Sequence, residues 1–268
     1  MSDSHAPHLL VEKEGHIVTV TMNRPEAKNA FSLEMMARMA DAWQMIDDDP
    51  EVRVAILTGA SGTFSAGADL KLMHADQSNN PFAARFAEDP DLHWKALLRH
   101  HRLSKPLIAA VEGFALGGGT EILQATEIRV AGESAKFGVT EAQWGLFPLG
   151  GSSVRLQRQV PFTKAMEILL MARPIAAKEA AEIGLIGRVV PDGDALAEAK
   201  RIAGIIASNG PLAVQALLKS TRATADLSEE EALKVELKIG WPIINSKDAK
   251  EGTRAFAEKR KPDFKGEL

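Results

Sequence analysis

The spacing of apolar positions predicts strands in the first half of the chain. In residues 16–22, HIVTVTM, β-branched residues recur at every second position, which is typical of a strand with one buried face. Residues 8–12, HLLVE, precede this segment across a Glu-Gly pair, so the two segments predict a hairpin. Three further apolar runs, at 52–59, 105–113 and 126–132, each end in glycine and predict buried strands.

Helical signals alternate with these strands and dominate towards the C-terminus. Ser32 is a predicted N-cap for a helix that ends near residues 47–50. Strands that alternate with helices are typical of an α/β fold. The character of the chain changes near residues 195–210, so we predict a core at 1–200 and a helical region at 201–268. The late helices are predicted in 190–206, 211–224, 228–241 and 246–260.

Composition and charge narrow the class of protein. The 268 residues carry a formal net charge of −4, which argues against nucleic acid as the main partner because phosphate binding needs concentrated Lys and Arg. The basic stretch EKRKP at 258–262 is a local exception. The chain has no cysteine, which excludes disulfides, thiolate metal sites and a cysteine nucleophile. No signal-peptide pattern or run of roughly 20 apolar residues is visible, so we expect a cytoplasmic protein without a membrane partner.

Several common catalytic signatures fail on their spacing. The GTFSAG stretch at 62–67 differs by one position from the GxSxG nucleophile elbow, so we do not expect Ser65 to be a nucleophile. No Walker lysine, GxGxxG or HExxH motif occurs in the sequence. His100 and His101 are adjacent and would point in different directions on a helix, so we expect no shared metal ion and predict no metal site.

Two glycine-rich stretches, FSAGADLKLM at 64–73 and ALGGGTEI at 115–122, each follow a predicted strand. A strand that leads through small residues into a helix exposes backbone N–H groups without internal acceptors, and the helix dipole adds partial positive charge there. Two such turns facing each other would form an oxyanion hole. For either stretch alone a simple tight turn is the better explanation, but the two together, at corresponding positions after a strand, favour a functional site.

Two glutamates accompany these turns. Glu121 lies in the first turn of the helix predicted after the glycines, and Glu141 lies 20 residues later in KFGVTEAQWGLFP. Two carboxylates beside one apolar pocket repel each other and raise at least one pKa, which suits one group to accept a proton while the other delivers one. The alternative for Glu141 is a glutamate in a surface loop.

Four motifs resemble the enoyl-CoA hydratase/isomerase family, also called the crotonase family. They are NRPEAKNAF, TFSAGADLKLM, the long run from KPLIAAVEG to WGLFP, and the tail EGTRAFAEKRKPDF. The similarity covers roughly residues 9–264 in the family's order. It implies a spiral of repeated ββα units, followed by a helical C-terminal region that builds trimers, often paired into hexamers.

The resemblance also implies the chemistry. Family members bind acyl-coenzyme A thioesters and hold the thioester oxygen on two backbone N–H groups, which match Ala68 and Gly118. In the family's hydratases two glutamates bind the nucleophilic water, and these match Glu121 and Glu141. The resemblance implies no metal or redox cofactor. It therefore predicts an enoyl-CoA hydratase of acyl-chain β-oxidation, with a Δ3,Δ2-enoyl-CoA isomerase or a non-catalytic acyl-CoA binder as alternatives.

Coenzyme A contacts are implied by the same motifs. The adenine and pyrophosphate region of the family matches five residues near the two early motifs, namely Ala27, Lys28, Ala66, Asp69 and Leu70. Phe256 and Lys259 match C-terminal residues that reach the nucleotide bound by a neighbouring subunit. Residues 258–262 would then suit a phosphorylated ribose, although a helix C-terminus also attracts basic residues.

The sequence departs from many hydratases near the acyl pocket. Thr126-Glu127 replaces a Cys-Asp pair, and PLGGSSVRL at 148–156 replaces PGAGGTQRL. The irregular segment at 74–101, which predicts a long excursion that carries one helix, is also longer than in many hydratases. These departures argue against a short straight-chain substrate, and the run from Trp144 onwards looks most like actinobacterial hydratases that act on bulky or sterol side-chain acyl-CoA.

Overall fold

The computed structural model describes residues 6–268 and has the predicted α/β architecture. The strands in chain order are β1 (Leu9–Glu14), β2 (Ile17–Met22), β3 (Val54–Gly59), β4 (Leu107–Val111), β5 (Phe114–Leu116), β6 (Ile128–Gly132), β7 (Lys136–Gly138), β8 (Ile175–Ala176) and β9 (Arg188–Val190). The α-helices are α1 (Leu33–Asp48), α2 (Ala83–Glu88), α3 (Leu92–Ala96), α4 (Gly118–Leu123), α5 (Ser152–Gln159), α6 (Phe162–Met171), α7 (Ala177–Glu182), α8 (Ala195–Ala207), α9 (Pro211–Thr224), α10 (Glu229–Ile244) and α11 (Lys247–Ala257).

The larger of the two sheets in residues 6–268 contains the predicted strands. β1 and β2 form the predicted antiparallel hairpin, in which Leu9 pairs with Met22 and Glu14 with Ile17. β3, β4, β6 and β9 follow β2 in that spatial order, all in parallel. The central parallel strands β3 and β4 are buried on both faces, which explains why their sequences are almost continuously apolar.

Helices cover both faces of this sheet. Leu57 of β3 belongs to one core together with Trp43 of α1. Its neighbour Ile56 points to the opposite face and belongs to a second core with Ala199 and Ile202 of α8. Alternate residues of one strand therefore anchor two different layers, and burying each such Leu or Ile side chain stabilises the fold by roughly 1.5–3 kcal/mol.

Local helix signals also match the structure. The Ser32 side chain accepts a hydrogen bond from the backbone N–H of Met35 at 3.1 Å and caps α1, as predicted.

The division into a core at 1–200 and a helical region at 201–268 stays a prediction. Helix α8 spans residue 200 and packs on the large sheet. No single helix in the described residues is long and apolar enough to cross a membrane, although α8 and α9, which meet at a bend of 106°, reach that length and apolarity as a pair.

The smaller sheet carries the two segments of chemical interest. β5 pairs in parallel with β7, and Leu116 faces Gly138 in the register. β8 adds two residues on the far side of β7. Because β5 and β7 are parallel and in register, the residues that follow Leu116 and Gly138 leave the sheet at the same end.

The excursion at 74–101 carries two short helices, α2 and α3, where the sequence predicts one. After α3 the chain reverses direction, since Leu98 has a φ of 51° and the backbone N–H of Arg99 donates to the Trp94 carbonyl at 2.9 Å. A left-handed residue of this kind ends a helix.

His100 and His101 lie in this reversal and not on a helix. Their Nε2 atoms lie 2.8 and 3.2 Å from the same carboxylate oxygen of Asp91. The expectation that the two rings point in different directions is wrong, because helical geometry does not apply to a turn.

Candidate active site

Three consecutive glycines form the turn between β5 and α4. Gly117 has a φ of 52°, and the predicted helix, α4, begins at Gly118, so that it includes the last two glycines. A β-carbon on Gly119 would lie 2.6 Å from the carbonyl oxygen of Ser65, and one on Gly118 would lie 2.9 Å from the Phe31 ring. The glycines therefore allow this turn to pack against a second backbone segment.

That second segment is the other glycine-rich stretch, 64–73. Ser65 is buried and its hydroxyl donates to the Asn29 carbonyl at 2.8 Å, so this side chain supports the loop. A single 3-10 turn, Leu72–His74, follows in place of the α-helix that the sequence suggested. The Asp69 carboxylate accepts hydrogen bonds from the backbone N–H groups of two following residues, and such local bonding competes with helix formation.

The two turns bring the backbone nitrogens of Ala68 and Gly118 together. A β-carbon on Gly118 would lie 3.8 Å from the Ala68 nitrogen. Within residues 6–268 neither N–H group donates a hydrogen bond, and both residues border the same cavity. The N-terminus of α4 adds partial positive charge, so the pair is suited to bind one oxygen atom that gains negative charge.

Glu121 lies in the first turn of α4 and is only 4% exposed. Its carboxylate accepts hydrogen bonds from the backbone N–H groups of Gly150, at 2.9 Å, and Ser152, at 3.1 Å. Burial raises the pKa of the Glu121 carboxyl, while these hydrogen bonds partly oppose the increase.

Glu141 follows β7 and begins the 3-10 turn Glu141–Trp144. Its carboxylate packs over the glycine turn, since a β-carbon on Gly117 would lie 3.2 Å from Oε1. Its buried Oε2 atom has no hydrogen-bond partner among residues 6–268. Burial, and then the nearby charge of Glu121, raise the pKa of Glu141 to about 7.

These four groups border one cavity of about 480 Å³. Its remaining wall is mainly apolar and is formed by the first part of α1 and the residues just before it, the 3-10 turn at 72–74, the excursion and the loop before α5. They include Phe31, Met36, Leu72, Phe86, Trp94, Leu97, Phe147 and Leu149. The cavity thus combines space for an apolar chain, two donors for an oxygen atom and two carboxyls with raised pKa values.

A sequence profile of the enoyl-CoA hydratase/isomerase family matches residues 12–267. The chain belongs to this family. It is 56% identical over 258 residues to the enoyl-CoA hydratase EchA19 of Mycobacterium tuberculosis, with 96% of each chain covered. It is 36% identical over 258 residues to the crotonyl-CoA hydratase of Syntrophomonas wolfei, with 96% of this chain and 97% of the relative covered.

A solved structure of an enoyl-CoA hydratase from M. tuberculosis superposes with a TM-score of 0.88. It is 38% identical and covers 97% of this chain and 100% of its own. These likenesses confirm the predicted crotonase-like fold and the predicted enoyl-CoA hydratase class of enzyme.

In this enoyl-CoA hydratase/isomerase family member, five of the predicted coenzyme contacts cluster in space. The Lys28 carbonyl accepts a hydrogen bond from the backbone N–H of Ala66 at 2.9 Å, so the Ala27–Lys28 turn lies beside the segment that carries Ala68. Asp69 borders the cavity, and Leu70 next to it is 37% exposed. Their role in binding coenzyme A stays a prediction.

Phe256 and Lys259 lie outside the cavity wall, at the end of α11. Phe256 is 87% exposed, and Lys259 has a left-handed φ of 52° just after the helix. Their predicted contact is with the nucleotide of a neighbouring subunit, and that prediction also remains open.

Sequence reasoning missed the groups that hold Glu121 and Asp69. Gly150 and Ser152 donate to Glu121 through their backbone, and Arg24 Nη1 lies 2.6 Å from Asp69 Oδ2. The glycine pair directly before α5 was a usable signal, because a glycine turn that enters a helix exposes N–H groups. Arg24 gave no comparable signal, since its partner is 45 residues away in the sequence.

Proposed function

We propose that the protein is an enoyl-CoA hydratase that adds water to a trans-2-enoyl-CoA and gives the 3-hydroxyacyl-CoA. One observation carries this proposal: two buried carboxyls and two free backbone N–H groups border the same apolar cavity. The reaction is a β-oxidation step, and the protein acts in the cytoplasm.

The N–H groups of Ala68 and Gly118 hold the thioester oxygen. When water attacks Cβ, electrons move onto this oxygen and an enolate forms. Fixed donors stabilise that charge more than they stabilise the neutral substrate, and one such donor is worth about 2.7–4 kcal/mol.

Glu121 and Glu141 divide the proton transfers. Glu121 is held by two N–H donors and accepts a proton from the attacking water, so that hydroxide bonds to Cβ. Glu141 has the pKa of about 7 and is the more readily protonated carboxyl, so it delivers a proton to Cα. One water is consumed and no electrons are exchanged with a cofactor.

The apolar wall favours a bulky acyl chain. Phe86, Trp94, Phe147 and Leu149 line the cavity, and two of them come from the long excursion. Branched or ring-bearing acyl groups bind favourably against such side chains because they bury more apolar area. The substrate is accordingly a bulky enoyl-CoA, with a sterol side chain as the leading candidate.

Coenzyme A and neighbouring subunits complete the proposal. The rim formed by Ala27, Lys28, Ala66, Asp69 and Leu70 binds the adenine and pyrophosphate. Exposed apolar residues on α10 support assembly into a homotrimer or homohexamer, in which Phe256 and Lys259 of one chain contact the nucleotide held by the next.

Glu141→Gln tests the proposed chemistry. Turnover of a 2-enoyl-CoA is expected to fall by about 10²–10⁴-fold, because the amide keeps the shape but delivers no proton. The dissociation constant of a saturated acyl-CoA should stay within about threefold of the wild-type value, since the oxyanion donors are intact. Glu182→Gln, an exposed glutamate outside the cavity, is the matched control and should behave as wild type.

Substrate tests separate the alternatives. An isomerase needs mainly one acid and would consume 3-enoyl-CoA in preference to 2-enoyl-CoA, whereas a hydratase consumes the 2-enoyl-CoA. A non-catalytic binder would hydrate no chain length at all. Near-normal turnover of Glu141→Gln would remove Glu141 from the mechanism.

A further inference from the structure

A cluster of three potential metal ligands lies on the outer side of the excursion. Asp91 Oδ2 lies 2.8 Å from Nε2 of His100 and 3.2 Å from Nε2 of His101. The three ligand atoms lie within 4.8 Å of one another. Within the described part of the chain, no other group of three such side chains brings its ligand atoms this close.

The backbone produces this convergence. Asp91 directly precedes α3, and the left-handed Leu98 turns the chain back after the helix. His100 and His101 therefore return towards the residue before the helix start, with ring centroids 4.9 Å apart. Their side chains are 46% exposed and that of Asp91 is 37% exposed, so a hydrated ion can reach all three.

Two imidazole nitrogens and one carboxylate oxygen are a donor set that zinc prefers. Ligands of a tetrahedral zinc ion lie about 3.4 Å apart, which follows from metal–ligand distances of about 2.0–2.1 Å. Small rotations of exposed side chains adjust the present spacing to that value, and water supplies the fourth ligand. We propose that Asp91, His100 and His101 bind one zinc(II) ion.

The zinc ion would connect to the active-site wall through Arg99. Arg99 lies between the end of α3 and His100, and its Nε donates to the Leu149 carbonyl at 2.7 Å. Leu149 borders the cavity, and the next residue, Gly150, donates to Glu121. Zinc binding therefore stiffens the segment that shapes the acyl cavity.

Isothermal titration with zinc chloride tests the site on the full chain without a histidine tag, at a pH above about 7.5, where free imidazole is neutral. One ion per chain is expected to bind saturably, and the His100→Ala/His101→Ala double variant should bind about 100-fold more weakly or not at all. His16→Ala is the matched control, because His16 is an exposed histidine beside one acid, Glu51, and it should retain wild-type binding. Equal binding in the double variant, or no saturable binding by wild type, overturns the proposal.

Two further measurements keep the outcome interpretable. Without metal, circular dichroism should give the double variant the same melting temperature as wild type, since the replaced side chains are half exposed. If the double variant does not fold, Asp91→Asn takes its place, and the same loss of zinc binding is expected. Hydrogen exchange should slow in residues 92–101 when zinc is added to wild type and not when it is added to the variant. Slowing in both proteins would overturn the assignment to these ligands.

Discussion

At the scale of single residues, the two carboxyls of the cavity differ in how they are held. Glu121 accepts two backbone hydrogen bonds, whereas Glu141 leaves a buried oxygen without a partner. Both have raised pKa values, but Glu141 is raised to about 7 and protonates first. The pair therefore carries one proton over a window below about pH 7, and this is the state that the proposed hydration uses.

The pH dependence of kcat/KM should reflect this shared proton. Above about pH 7 the pair loses its last proton, so kcat/KM is expected to fall about tenfold for each pH unit. The apparent pKa belongs to the pair because the two sites are coupled. A stopped-assay profile with one enoyl-CoA between about pH 5 and 9 measures it, and a constant value through pH 8 would contradict the assignment.

Glu141 should also make stability depend on pH. Its folded-state pKa of about 7 lies above the ordinary value of 4.5, so the folded protein binds this proton more tightly than the unfolded chain does. The free energy of unfolding therefore falls as pH rises from about 4.5 to 7, and stays lower above that. Glu141→Gln removes this penalty. Its free energy of unfolding is expected to exceed that of wild type by on the order of 2 kcal/mol at about pH 8 and by nearly nothing at about pH 4. Urea unfolding at both pH values measures the gain, and equal gains at both would exclude an ionisation effect.

Residue types were more predictable than residue partners. Glu121 and Glu141 were singled out by their positions after the glycine turn, the family motifs assigned Ala68 and Gly118, and all four border one cavity. The sequence does not predict that one carboxylate oxygen of Glu141 lacks a hydrogen-bond partner. That property depends on where β7 ends relative to Gly117.

At the scale of elements, the close contact between two glycine turns is what positions the oxyanion donors. Gly119→Ala would place a β-carbon 2.6 Å from the Ser65 carbonyl oxygen, so α4 must move away. We expect the free energy of unfolding to fall by about 1–3 kcal/mol and kcat/KM to fall at least about tenfold.

Gly204→Ala is the matched control for this substitution. Gly204 lies inside α8, and a β-carbon there meets no atom within 4 Å. Alanine should therefore stabilise the protein by about 0.5–1 kcal/mol without changing kcat/KM. Unchanged kcat/KM in Gly119→Ala would show that the donors do not depend on this contact.

Element prediction succeeded where a pattern extends over several residues. The β1–β2 hairpin, the Ser32 cap and helices α8 to α11 are supported by periodicity or capping over six or more positions. The small sheet was harder, since β8 has two residues and β7 has three, too few to establish a period. The Leu98 reversal is decided by tertiary packing, and leucine has no intrinsic preference for positive φ.

At the scale of the whole molecule, α10 exposes an apolar stripe. Leu233, Leu237, Trp241 and Ile244 are 56–69% exposed and recur at spacings of three or four residues, so they share one helix face. A stripe of this kind is typical of a surface that another chain covers. The stripe supports the proposed trimer or hexamer. The charge pattern of the sequence alone does not indicate which face another chain covers.

Breaking this stripe should separate assembly from folding. Leu233→Lys/Leu237→Lys is expected to sediment as a monomer of 28.9 kDa, because burying two lysines at an interface is unfavourable. Glu182→Lys adds a lysine to an exposed position of α7, away from this stripe, and should assemble like wild type. If Phe256 and Lys259 contact a neighbour's nucleotide, the monomer should also show a KM for enoyl-CoA raised about tenfold or more, with a smaller change in kcat. A monomer with unchanged KM would restrict coenzyme binding to residues of its own chain, and a double variant that still assembles would exclude this face from the interface.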